Sequence, residues 1–112
     1  MPTTYKILGQ KITASNTWTD LYVPSSSPAT SSIVSSIIVC NTGNSDRTFS
    51  IAAVEASGRT PTVSGSISYN TVVLANDSVV ISCGITLGPG NALRISGSST
   101  EVGFSAFGTE IT

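Results

Sequence analysis

The sequence predicts an all-β fold: a single antiparallel β-sandwich, jelly-roll-like, of about eight short strands across residues 1–112. Three observations predict it. No segment keeps a helical period over a dozen residues. Short runs rich in Val, Ile, Thr, Tyr and Phe recur at even spacing instead. Gly, Pro, Asn and Ser punctuate them.

Taken in order, the first run covers residues 5–12 (YKILGQKI) and the second 18–23 (WTDLYV), closed by Pro24. The polar SSSPATSS of residues 25–32 then reads as a loop rather than a domain linker, since too little chain precedes it. Residues 33–40 and 47–54 form the next two runs, flanking a turn at 41–46. A second loop, 56–64, contains Gly58 and Pro61. Strands are expected at 66–74 and 78–83, on either side of the turn Ala75-Asn76-Asp77. Residues 84–87 continue the latter strand through a bulge at Gly84. LGPGNAL gives the strongest turn signal: Pro89 fixes its own φ, and Gly90 is expected to take a positive one. Strands at 92–96 and 101–111 complete the set, with Gly97-Ser98-Ser99-Thr100 between them. The last strand runs to the final residues, so it is expected to be integral to a sheet.

Alternation assigns faces. Phe49, Ile51 and Ala53 share one side, and Thr48, Ser50 and Ala52 the other. Leu93 and Ile95 flank Arg94 in the same way. Two strands break the rule. In IIVC, Ile37 and Val39 face one way while the equally apolar Ile38 and Cys40 face the other. Near the end, Val102, Phe104 and Ala106 share a side that Phe107 and Ile111 do not. Either a bulge resets the phase or both faces are covered. For IIVC the expectation is core on one side and, on the other, a further layer of the chain or, failing that, another copy.

Composition narrows the function. Net charge is −1 and only 10% of residues are charged, against about 25% in an average soluble protein. Ser and Thr, roughly a third of the chain, supply the polarity and suit strands. Low charge favours association. Five scattered Lys and Arg make no phosphate-neutralising stripe, so a nucleic-acid partner is not expected. No apolar run is long enough to cross a bilayer as a helix, and no membrane partner is expected. Met-Pro-Thr-Thr-Tyr lacks the basic start and apolar stretch of a signal peptide, which predicts synthesis in the cytoplasm.

The chemistry-bearing residues are sparse. The chain has no histidine, which removes the commonest general base and metal ligand. Cys40 and Cys83 each lie in an apolar run; they read as small buried side chains in preference to a disulfide or redox pair. Six carboxylates remain: Asp20, Asp46, Glu55, Asp77, Glu101 and Glu110. Two of them could in principle serve a glycosidase, but turn and surface roles fit the sequence context better. Asn41, Asn44 and Asp46 offer oxygens to a hard cation, at a spacing that matches no dedicated calcium loop. Gly-Pro-Gly-Asn and Gly-Asn-Ser-Asp are tight turns, not phosphate loops. Trp18 and Tyr22, four apart on one strand, would share a face and could stack on a sugar, though core or interface roles are commoner. No catalytic, cofactor-binding or metal residue is assigned, and no enzyme or cofactor is expected.

With the strands placed, YKILGQ (Tyr5 to Gln10), LYVP (Leu21 to Pro24), IVSSIIVCNTG (Ile33 to Gly43) and VGFSAFGTEI (Val102 to Ile111) resemble small structural proteins of tailed bacteriophages, cyanophages among them. SYNTVVLANDS and GITLGPGNAL are similar in kind. The resemblance spans nearly the whole chain and consists of strand and turn patterns. It implies a virion structural protein: a capsid decoration or cement protein in the first place, or a tail, baseplate or fibre component. It further implies a homo-oligomer, with a trimer favoured, in contact with other virion proteins such as the major capsid protein. A carbohydrate-binding module for host attachment is the alternative from another class.

Overall fold

Eight strands build two four-stranded antiparallel sheets in the computed structural model, which describes residues 3–61 and 65–112 without the side chain of Cys83. They are β1 (Thr3–Ile12), β2 (Thr19–Tyr22), β3 (Ser31–Asn41), β4 (Arg47–Val54), β5 (Ser66–Val73), β6 (Ser78–Leu87), β7 (Ala92–Gly97) and β8 (Val102–Ile111). One sheet has the order β1-β8-β3-β6 and the other β2-β7-β4-β5. First pairs with last, second with seventh, third with sixth and fourth with fifth. The chain is therefore one long hairpin, tipped at the β4–β5 connection and rolled until β3 meets β8 and β4 meets β7. That winding is a jelly roll.

The facing sides of the sheets make the core. Phe49 of β4 meets Phe104 of β8 edge to face, centroids 6.2 Å apart at 75°. Around them Val34, Ile37, Val39, Ile51, Leu93, Ile95 and Val102 lose all solvent contact. Burying each of these side chains contributes roughly 1.5–3 kcal/mol. β-branched residues dominate this set because their stiff χ1 suits a pleated surface.

No bulge resets the phase of β8, so Phe107 and Ile111 stay on the outer side of the sheet, and the irregularities fall in its neighbours instead. β8 alternates regularly, with Val102, Phe104 and Ala106 buried inside. Its two neighbours carry the irregularity: β1 is out of step between Ile7 and Gly9, and β3 between Val34 and Ser36. The extra residue Leu8 turns into the core, and past Ser35 the inward series resumes at Ile37. β6 matches the β3 irregularity by passing from Ser82 to Ile85, so the expected bulge at Gly84 is present.

Turn chemistry follows the residues. Gly90 has φ of 80°, and Asn91 N–H donates to the Gly88 carbonyl at 3.1 Å. The Asn91 side chain closes the same turn by accepting from Gly88 N–H at 2.7 Å. Asn76 takes φ of 57° between β5 and β6. In the 25–32 loop, Ser26 bridges Ala29 and the Ser27–Pro28 bond is cis.

Candidate assembly surface

Strand alternation assigns one set of residues to the outer side of the β1-β8-β3-β6 sheet, and that set is unusual. β1 places Tyr5, Ile7 and Ile12 outward, β8 places Phe107 and Ile111, β3 places Ile33, Ile38 and Cys40, and β6 places Val80. Tyr5 is 83% exposed, and Ile12 and Val80 are 60% exposed. The IIVC question is answered here. β3 is a central strand, yet among the described residues no further layer lies over Ile38 and Cys40. The expectation of a covering layer from the chain itself is corrected: the second sheet packs entirely on the Ile37 and Val39 side. Cys40, expected to be buried, is exposed, because alternation from Val39 turns it outward. The Cys40–Cys83 pairing lies outside the described side chains.

Charge is missing from this face. The chain has five Lys and Arg and six Asp and Glu, and none takes an outward position on these four strands. Lys6, Lys11 and Glu110 belong to β1 and β8 but fall on the inward phase, at the margins of the sandwich. Between the apolar side chains stand uncharged Ser36, Ser82, Thr86, Ser105, Thr109 and Gln10, and Gln10 donates to Ser105 Oγ at 3.3 Å. Gly103 sits between Ile12 and Cys40 with nothing within 4 Å of where a Cβ would point. The result is an open depression of about 360 Å³ bordered by Ile12, Ile38 and Cys40, with Lys11 also on its border.

The opposite outer face is built otherwise. Arg94 of β7 pairs with Asp20 of β2 at 2.8 Å, charge to charge rather than as an aligned hydrogen bond. The Arg94 guanidinium also donates to the carbonyls of Arg59 at 2.8 Å and Trp18 at 3.1 Å. Ser57 Oγ donates to the other Asp20 oxygen. These contacts hold the segment after β4 across the sheet, and outward Ser50, which accepts from Asn70 N–H of β5, and Ala52 are buried. A cleft of about 410 Å³ opens beside that segment, with Glu55, Arg59 and Asn91 among its walls.

The residues singled out from sequence are dispersed. Asp46 accepts from Ala75 N–H at 3.0 Å, and Asp77 from Ser78 N–H at 2.8 Å, as turn formers. Glu101 pairs with Arg47 at 3.0 Å. Glu110 pairs with Lys6 at 3.1 Å and accepts from the Tyr22 hydroxyl at 2.6 Å. That hydrogen bond, opposed by burial and joined by Lys6, holds the Glu110 carboxyl below its usual range. Burial first, and then Glu110, pushes Tyr22 up to about 12. Among the described residues no three of Cys, Asp and Glu gather as a metal site. Asn41 is committed to the backbone: its amide donates to the Ser45 and Val73 carbonyls at 2.8 and 3.2 Å and accepts from Gly43 N–H at 3.0 Å. Trp18 and Tyr22 do not form an exposed pair. Trp18 precedes β2, a register shift follows Asp20, and Tyr22 turns inward with 8% exposure. The Asp20–Arg94 pair escaped the sequence reading. Its signal was present: opposite charges inside two apolar runs, where unpaired charges are rarely tolerated.

No family model and no curated protein matches the chain. Several solved structures are similar, two of which are as follows. One is the structure of infectious bursal disease virus, Gx strain, at TM-score 0.49 and 12% identity over 97% of this chain and 30% of that one. The other is a pentameric capsid protein isolated from metagenomic phage sequences, at TM-score 0.40 and 16% identity over 96% of this chain and 63% of that one. The chain thus spans less than two thirds of either.

Proposed function

We propose that the chain is a structural protein of a virus particle, a capsid decoration or cement protein of a tailed phage, which acts by contact and not by catalysis. The observation that carries this reading is the outer face of the β1-β8-β3-β6 sheet, where apolar side chains from each of the four strands stand among uncharged polar ones. Contiguous apolar patches beyond a few hundred Å² mark interaction surfaces. The strand and turn patterns shared with phage structural proteins support the same reading. So does the architecture, because both sheets close on one core and most of the chain is short-looped. The partners are further copies of the chain and other virion proteins such as the major capsid protein. A trimer is the order that the sequence resemblance favours.

The test is location. Antibody-labelled electron microscopy of purified particles should find the protein over the shell in many copies. Label confined to the tail tip or fibres would move it to the tail. Absence from particles carrying all other virion proteins would overturn the proposal.

A further inference from the structure

We infer that the outer face of the β1-β8-β3-β6 sheet binds the same face of a second copy of this chain. The inference rests on the reading of the chain as an assembly protein and names the partner of that surface. Charge supplies the first argument. An occupant bringing charges to this face would have them desolvated with no opposite charge among its outward side chains, Lys11 standing only at the border. The face itself is an apolar, uncharged partner that avoids this. Its hydroxyls and Gln10 offer donors and acceptors to their own copies, as a two-fold, self-complementary contact requires.

Area supplies the second. Strands of ten or eleven residues at about 3.3 Å per residue, four of them about 4.8 Å apart, give a footprint of roughly 600 Å². Two such footprints bury roughly 1,200 Å², at the lower end of stable interfaces and above the roughly 1,000 Å² that a biological contact needs. Sheets stack face to face readily, their strand directions about 30° apart. The contact would turn two two-layer sandwiches into one four-layer stack. A trimer formed through other surfaces would be joined in pairs by it, so the assembled mass is an even multiple of 11.4 kDa.

The experiment is sedimentation of the whole chain beside Val80→Lys and Ile12→Lys. Both side chains are 60% exposed, so a lysine there can reach water in the single chain. Circular dichroism melting confirms that each variant folds. The expected result is an even-numbered wild-type assembly and, in each folded variant, at least about a hundredfold weaker pairing through this face. A wild type of odd order, or variants that keep the wild-type mass, overturns the inference. Particle association is scored separately. Variants that keep their mass but no longer bind particles would show that the face docks another virion protein, leaving the proposed function standing. A wild-type monomer that never binds particles would remove both.

Discussion

Asn41 shows how one side chain can hold a corner of the roll. It ends β3 on the inward phase with 1% exposure, and its amide satisfies three backbone groups. One of them, the Val73 carbonyl, belongs to the other sheet. Asn41→Ala strands those groups away from water, and each orphaned group is costly. A loss of about 3 kcal/mol is expected, read as a lower denaturant midpoint at unchanged slope. Tyr22 and Glu110 couple β2 to β8 in a similar way, and they titrate. The Glu110 carboxyl is lowered from 4.5, so its contribution is complete above that value and drains as pH falls through the lowered one. Tyr22 is raised from 10.0 to about 12, so its contribution is complete below 10.0 and is lost as pH climbs through about 12. Glu110→Gln should flatten the acid limb of a stability-against-pH curve. An acid limb as steep as that of the wild type would show that Glu110 carries none of it.

Single elements are placed by close approaches that leave no room for a side chain. A Cβ on Gly9 of β1 would lie 2.3 Å from the Leu21 carbonyl oxygen of β2, and one on Gly108 of β8 would lie 2.1 Å from that of Ile33. Neither obstacle is a flexible side-chain tip, so the strands themselves would have to part. Gly9→Ala is expected to cost about 1–3 kcal/mol through this overpacking, measured by thermal or denaturant unfolding. Gly84 is the control: nothing lies within 4 Å of its Cβ direction, and Gly84→Ala should be tolerated. The extent of most strands was legible in the sequence, because β-branched runs between turn residues mark them locally. β4 coincides with its expected span, and β6 includes the expected bulge. β2 is shorter than expected and leaves Trp18 outside, and a register shift against β7 between Asp20 and Tyr22 turns Tyr22 inward. That shift depends on a strand more than seventy residues away and has no local signature.

At the scale of the whole molecule, the two outer faces divide the labour. One is fastened down by Arg94 and Asp20 beneath the segment that follows β4. The other is open, apolar and uncharged. Assembly through an uncharged face should resist salt. Raising ionic strength from about 0.1 to about 1 M shortens the Debye length from about 10 to about 3 Å, and the assembled mass should not fall. Dissociation into single chains at high salt would instead point to ion pairs between copies. The apolar residues of this face, Ile38 and Cys40 among them, were visible in the sequence. Their common membership of one surface was not, because they come from strands 1, 3, 6 and 8 of the roll.

The amino-acid order by itself determined the strand inventory, the turns at Gly90 and Asn76, and the scarcity of charge, since each is a property of a few adjacent residues or of composition. Tertiary structure alone decided which apolar face became core and which stayed open. Pairing first strand with last and second with seventh depends on contacts across nearly the full length of the chain. Bulges in β1 and β3 then reset the inward phase, and a phase set by neighbouring strands cannot be read from one strand's own residues.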